Sequence, residues 1–544
     1  MCRTEDSIMT SSPSSSPSYF CSLTTIDSIC LGTGRFLRAV WVPALQAAHY
    51  HPVFIQPRGR SFVEDCLAKG DNVVSLPVDT VLASGEIQTD QYDCYGAFSW
   101  GTEQDQQAFY NKWWKSVSLD QTKPFLIAVG VTEAGLASAD TEAMQQLFRF
   151  LCSLRTKAPT TKICVVNTDN VPLNGNVIRR HMMTLLQQQG GNDDDGQFLE
   201  ERVVFLNSMV DRITSHRPND VLVPRAEPQP AKALVVADLG NDLPPEFHTI
   251  PGVIIRNSIE ALQQDVTWKL RIANGTHTAI AHALALCSCL QTTILSSPSS
   301  GIARTFLKYL DALVQDQILR VLPSEAQLVW DDWRQRLLHP HFGLSTFFIT
   351  QNGAAKGGIR FGPTVADLLR QEQPVTVAMA WAFAVLLRWL TPAQTVNMTP
   401  MKKFRTRYRG WLNQFSREHV AAEYKQIKES SNTTEEYGDR LAFNLNEGWY
   451  DFRCTCMIQI DDLVYNLSHC LARGEGVCRV IIWAYLVAED GGNMQEVAHL
   501  PYFETFVGAV HNLYADLILK NNVLDHLDEL IGTNALGEDC QIMV

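Results

Sequence analysis

The stretch IDSICLGTGRFLRA, residues 26–39, decides the fold. IDSICL (26–31) is a short, mostly apolar run of the kind that forms a buried strand. It passes directly into Gly32-x-Gly34 and then into FLRA, where a helix is expected. Strand, glycine turn and helix in that order form the first unit of a doubly wound sheet. Gly32 permits the tight turn, and Gly34 lets the backbone approach a pyrophosphate at the helix N-terminus. The third glycine of the full fingerprint is missing, with Leu37 in its place. A plain strand-turn-helix connection therefore accounts for these residues about equally well.

Working outward, PVFIQ (52–56), FLIAVGV (125–131), KICVVN (162–167), RVVFL (202–206) and GVIIR (252–256) also read as buried strands. Helical segments separate them, which predicts an α/β architecture: a Rossmann-like, doubly wound, mostly parallel sheet. QQQGGNDDDGQ (187–197) and HRPNDVLVPRAEPQP (216–230) read as surface loops within it. Past residue 257 the strand signals fade and amphipathic segments dominate. The expected organisation is a disordered serine- and proline-rich tail over 1–24, a dinucleotide-binding domain over 25–257, and a mainly α-helical substrate domain over 258–544. Within the last, KESSNTTEEYGD (428–439) is expected to be a loop.

Composition narrows the function classes. At 544 residues the chain has room for two domains with proper cores. A net charge of −13 argues against a nucleic-acid-coating surface or a basic membrane face. VTVAMAWAFAVLL (375–387), the longest apolar run, is too short to span a bilayer and reads as a buried helix. The fourteen cysteines form no C-x-x-C pair and no ligand cluster with histidine, which suits reduced, buried thiols. The first two dozen residues lack the apolar core of a secretory signal and the arginine-rich pattern of a mitochondrial one. A cytoplasmic location is the expectation, with plastid import the lesser alternative.

Chemistry concentrates in KLRIANGTH, residues 269–277. A neutral lysine removes a hydroxyl proton, an asparagine NH₂ stabilises the developing alkoxide, and a histidine fixes a neighbouring oxygen. On one unbroken α-helix Lys269 and His277 would be about 12 Å apart along the axis and roughly 80° apart in direction. Gly275 offers a place to bend. A solvated lysine, a helix-ending Asn-Gly and a packed histidine would leave the same letters.

The blocks VTEAG (131–135), NTDNVPLNGN (167–176), NSMVDRIT (207–214) and KLRIANGTH, in this order, resemble the polyol-specific long-chain dehydrogenase/reductase family. That family holds mannitol dehydrogenases together with fructuronate and tagaturonate reductases, and the resemblance covers most of the chain. It implies an NAD(P)-dependent oxidoreductase that needs no metal, works as a monomer, and interconverts a secondary alcohol of an open-chain polyol with a ketose. Lys269 then matches the general acid/base, which needs a depressed pKa to be neutral near pH 7. Asn170 and Asn274 match the amide pair on the reacting oxygen, and His277 the residue that binds the substrate beside it. Asp211 matches a position that holds substrate hydroxyls, with a salt bridge to Arg212 as its structural alternative. Lys356 and Arg360 of AAKGGIRFGPTV (354–365) match weakly a block that places a cation near the substrate. The expected cofactor-binding set is Gly32, Gly34, Phe36, Gln56, Arg58 and Glu133.

The second strand runs into QPRGR (56–60), with Gln56 where an NAD enzyme would carry an acid for the ribose. Arg58 and Arg60 suit a 2′-phosphate, or simply an exposed loop, so the choice between NAD and NADP stays open. Other departures are Val266, where the family carries a glutamate, and HPHFGL (339–344), which replaces an Asn-Pro block. Two further readings stand beside the polyol dehydrogenase. One is a hexuronate reductase linking tagaturonate or fructuronate to an aldonate, for which a cation would clamp the carboxylate. The other is a non-catalytic nucleotide-binding paralogue, supported only by Val266 and the altered 339–344 block. The place expected for the Lys269 constellation is a cleft between the domains.

Overall fold

The computed structural model describes residues 19–70, 72–131, 135–189, 193–218, 220–287, 289, 291–297, 299–350, 356–390, 457–460, 463–466, 499–520 and 522–543. Glu133 and the 428–439 segment lie outside them. The chain divides into two compact units, residues 1–82 with 86–266, and residues 83–85 with 267–544. The division falls later than the sequence pattern placed it, inside the helix Ile259–Trp268.

The first unit is built on a nine-stranded sheet. Six of its strands run parallel, in the order Gly96–Ser99, Pro52–Gln56, Ser28–Leu31, Phe125–Val129, Ile163–Asn167, Val203–Val210. Numbered along the chain this order is 3-2-1-4-5-6, the Rossmann arrangement. The central strands are buried over their whole length, which is why their sequences are unbroken apolar runs rather than alternating ones. Leu234–Ala237 joins Val203–Val210 antiparallel and pairs in parallel with Val253–Arg256. At the other edge Tyr19–Cys21 pairs antiparallel with Gly96–Ser99. These three residues, within the stretch expected to be a disordered tail, form a strand.

Two expected loops are partly regular structure. Residues 216–230 contain the end of strand Thr214–Arg217 and all of Asp220–Ala226, which form an antiparallel pair. These two join Val74–Val81 and Ile87–Cys94 in a four-stranded sheet. Arg217 clamps that sheet by two hydrogen bonds to the buried Asp79, at 2.9 and 2.8 Å. Within 187–197, residues from Asp193 onward open the helix Asp193–Glu201.

Among the described residues, the second unit is helical apart from the short pair Met457–Ile460 and Leu463–Asn466. Its centre is the helix Val377–Leu390, which is apolar on every face and packs against Phe503–Lys520 and Gly275–Leu286. Trp381 stacks edge-on against Tyr309 and donates its ring N–H to His526 at 3.2 Å. None of the described helices is long and apolar enough to cross a membrane.

Candidate active site

In the first unit the chain reverses its winding between Ser28–Leu31 and Phe125–Val129, and both strands end in glycine. A sheet of this order binds ligands in the crevice at such a point. Gly32 has φ +118°, a conformation that glycine alone adopts readily, and a Cβ there would lie 2.6 Å from the Gly130 carbonyl oxygen. Gly32 N–H donates to Ile55 O at 2.8 Å and Gly130 N–H to Leu31 O at 2.7 Å, so the two turns are pinned against each other. Gly34 is exposed, and a Cβ on it would meet nothing closer than 4.0 Å. Its carbonyl accepts the Arg38 N–H at 3.1 Å, which makes it the start of the following helix. That leaves the helix's first N–H groups for an anion.

A cavity of about 310 Å³ opens here, lined by Gly32, Gly34, Gln56, Arg58, Gly130 and Glu142 among others. Phe36 does not line it; it packs half-buried beside the core. Gln56 reaches the cavity wall but serves the fold. Its Oε1 accepts the N–H groups of Phe62 and Val63, at 3.1 and 3.4 Å, at the start of helix Ser61–Lys69. Its Nε2 donates to the Arg58 carbonyl at 3.0 Å. An ionised acid could accept the first two bonds but could not donate the third, which explains an amide here. Arg58 is exposed on the rim. Thr141 and Glu142, which sequence reasoning missed, line the opposite wall at the start of helix Glu142–Lys157. The helix start in ADTEAM was the available signal.

The NTDNVPLNGN block is a hydrogen-bonded knot. Asn167 and Asn174 are fully buried. Asn167 donates to Val129 O at 3.0 Å, and Asn174 ties Asp169 O to Ser208 O, at 2.8 and 3.0 Å. Gly175 is required because a Cβ would lie 2.6 Å from the Leu206 backbone. The knot presents Asn170, whose Oδ1 accepts the Val210 N–H at 3.1 Å. A backbone N–H can only donate, so the amide orientation is fixed and Nδ2 is the atom left to donate. Asp211 follows at the end of its strand, half-buried. Arg212 does not pair with it: the guanidinium donates to Glu227 O, Ala39 O and Thr80 Oγ1. Val266 packs with Met209, Val235, Ala237 and Leu262, an apolar seat in which a carboxylate would be desolvated.

In the second unit Lys269–Asn274 is a π turn, and Gly275 is helical rather than a hinge. The expected bend is replaced by an extra residue in the turn. In an α-helix residues 269 and 274 would point about 140° apart. The wider π turn brings these two directions closer together, and His277 lies three residues further along the helix. Lys269 is 8% exposed. Thr276 returns its hydroxyl to Ile272 O at 2.6 Å and accepts the Trp333 ring N–H at 2.8 Å. Arg360 donates to Asn274 O at 3.3 Å, to His277 Nε2 at 3.0 Å and to Thr278 Oγ1. Lys356 donates to Ile349 O. In the 339–344 block His339 Nδ1 accepts the Phe342 N–H at 2.9 Å and caps its own turn.

Burial, reinforced by Arg360, Lys356 and Lys269, holds His277 well below the usual histidine range. His282, one turn on and 1% exposed, is pushed by burial down to about 3. Its Nδ1–H donates to Thr278 O at 2.7 Å, and burial keeps the ring neutral near pH 7. An unfolded histidine takes a proton below about pH 6.5, so stability is complete above that value and falls as the pH drops toward 3. His282 alone is expected to remove about 2 kcal/mol between pH 7 and pH 5. Urea unfolding at both pH values checks this: His282→Gln should show the smaller loss, and an equal loss in both proteins would refute it.

Residues 27–229 match the family model for the mannitol dehydrogenase Rossmann domain. Altronate oxidoreductase of Bacillus subtilis (strain 168) is 23% identical over 406 residues, 68% of this chain and 80% of that protein. A mannitol 2-dehydrogenase of Aspergillus fumigatus is 24% identical over 270 residues, 45% and 52% of the two chains. Among solved structures, the Pseudomonas fluorescens mannitol 2-dehydrogenase ternary complex with NAD and D-mannitol superposes with a TM-score of 0.59 at 17% identity, covering 94% and 95% of the chains. D-sorbitol dehydrogenase in substrate-free form gives 0.54 at 16% identity, covering 68% and 81%. Residues 27–229 are thus similar to the mannitol dehydrogenase Rossmann domain, and the solved structures share the fold.

Proposed function

We propose that this protein is an NAD(P)-dependent oxidoreductase that interconverts a secondary alcohol of an open-chain polyol with the corresponding ketose, using Lys269 as general acid/base. The observation that supports the reading is the π turn Lys269–Asn274, whose i→i+5 period would turn Lys269, Asn274 and His277 toward one another. A buried amine beside two hydrogen-bonding side chains is what removal of an alcohol proton requires.

The first unit fits a dinucleotide. Its glycine turn leaves Gly34 open toward the cavity and the helix N–H groups toward a diphosphate, with Arg58 on the rim for the ribose end. A bound nicotinamide would supply the hydride acceptor, or the donor in the reverse direction. The chain's own residues handle the oxygen and the proton. Lys269 takes the hydroxyl proton on oxidation and returns it on reduction. Asn274 donates its NH₂ to the reacting oxygen as charge develops, and the resemblance gives Asn170 the same acceptor. His277 holds an adjacent oxygen, and Asp211 accepts hydrogen bonds from hydroxyls further along the substrate.

A hexuronate reductase is the second reading. It is favoured by the altronate oxidoreductase of Bacillus subtilis, whose alignment spans more of this chain than that of the Aspergillus fumigatus mannitol 2-dehydrogenase. Lys356 or Arg360 would then meet the carboxylate. The test is cofactor reduction by the purified protein with hexitols, pentitols and aldonates, using NAD and NADP in parallel. Turnover of a hexitol or pentitol is expected. Turnover of aldonates alone would transfer the assignment to the second reading, and silence across the panel would overturn both.

A further inference from the structure

The guanidinium of Arg360 is bound to the helix that carries the proposed chemistry. Arg360 belongs to the turn Gly357–Phe361, whose backbone comes close enough that a Cβ on Gly275 would lie 3.5 Å from the Arg360 carbonyl oxygen. A π turn disturbs the regular i→i+4 pairing of carbonyls, and here the Asn274 carbonyl receives Arg360 Nη1 at 3.3 Å. The same nitrogen lies 3.0 Å from His277 Nε2 and also bonds Thr278 Oγ1. Arg360 therefore holds the end of the π turn and the histidine three residues beyond it.

This contact has a chemical consequence. A guanidinium only donates and stays charged at any working pH. His277 Nε2 must then accept, and an accepting nitrogen carries no proton. The one proton of the ring sits on Nδ1. That atom is buried and has no hydrogen-bond partner among the described residues. A buried donor without a partner is a standing cost that a substrate oxygen would relieve.

We propose that Arg360 is a positioning residue that holds His277 as its Nδ1–H tautomer, so that Nδ1–H is the group His277 offers to a substrate oxygen. The proposal rests on the reading of His277 as a substrate-binding residue. A donor suits both directions of the reaction, because hydroxyl and carbonyl oxygens both carry lone pairs. An acceptor nitrogen would serve only the hydroxyl. The groups facing the ring support the same state: Arg360 and Lys356 from one side, Lys269 and His282 from its own helical stretch, all disfavour a second proton. Trp333 packs 5.9 Å away and adds no charge.

The direct test is ¹⁵N NMR of the histidine-labelled full chain, with the His277 signals assigned by their loss in His277→Gln. The expected wild-type spectrum shows Nδ1 protonated and Nε2 bare, unchanged down through the ordinary histidine titration range. In Arg360→Met the Nε2–H form should appear, the ring should titrate nearer its ordinary range, and kcat/KM should fall at least tenfold with a new acidic limb. Arg360→Lys, which keeps a donor, should restore the Nδ1–H form and most of the activity. A wild-type ring protonated on Nε2 overturns the proposal, as does Arg360→Met with an unchanged tautomer and pH profile. The wild-type spectrum decides the tautomer even if Arg360→Met fails to fold. Silence on every polyol and aldonate would overturn the functional reading and leave the measured tautomer standing.

Discussion

Lys269→Ala is expected to lower kcat by about a thousandfold, within the range usual for loss of a general acid or base, while dinucleotide affinity stays within about twofold. The two effects separate because the amine sits on the π turn Lys269–Asn274 of the second unit, whereas the glycine cavity is built wholly from the first. The substitution removes a side chain only 8% exposed, so some loss of packing accompanies it. Lys269→Met, which keeps most of the stem, isolates the lost amine from the lost volume. Lys269→Arg is expected to be nearly as slow, because a guanidinium does not release its proton near neutrality. Small primary amines added to Lys269→Ala should recover part of the rate, in proportion to their unprotonated fraction. The measurement is steady-state kcat beside a cofactor titration, and near-normal turnover in both the alanine and methionine variants would remove Lys269 from the mechanism.

How far the sequence could be read follows from where its signals were local. The strands buried on both sides, such as Phe125–Val129 and Ile163–Asn167, are unbroken apolar runs and were legible. Gly96–Ser99, the third strand of the Rossmann order, was not. It is four residues long and opens on a glycine, and only its neighbours make it a strand. Ile87–Cys94 is largely exposed and polar, so its strand character comes from pairing with Val74–Val81. The hairpin over 214–226 hid behind prolines and asparagine, and Arg217 on Asp79 ties it into the sheet from far along the chain.

The candidate site shows the same division. Lys269, Asn274 and His277 were visible as letters, but an α-helical period misplaces the first two relative to each other. The extra residue of the π turn has no compositional signature. It is held by contacts from elsewhere, Trp333 on Thr276 and Arg360 on the Asn274 carbonyl. Gln56 illustrates the reverse case: the position was found, and its capping bonds to Phe62 and Val63 were beyond any reading of QPRGR.

Gly32→Ala is expected to destabilise the protein by about 3 kcal/mol and to weaken dinucleotide binding at least tenfold, two effects with one origin. At φ +118° an alanine is strained before any neighbour is considered. Its Cβ would then stand 2.6 Å from the Gly130 carbonyl oxygen, a backbone atom with no rotamer to change. Gly130 has little room to retreat: its N–H is bonded to Leu31 O at 2.7 Å, and Leu37 Cδ1 lies 2.7 Å from where its own Cβ would be. Relief must come from spreading the ends of Ser28–Leu31 and Phe125–Val129, the place where the cavity is formed. Gly34→Ala supplies the contrast. A Cβ there meets nothing within 4 Å except Gly130 O at 4.0 Å and requires no unusual φ. Its stability should stay within about 0.5 kcal/mol of wild type, yet the methyl would stand on the open face of the turn and reduce dinucleotide affinity. Thermal or urea unfolding, paired with cofactor titration by fluorescence, separates strain in the fold from crowding in the site. A Gly32→Ala protein that melts and binds as wild type would show that this turn neither needs its glycine nor cradles a dinucleotide.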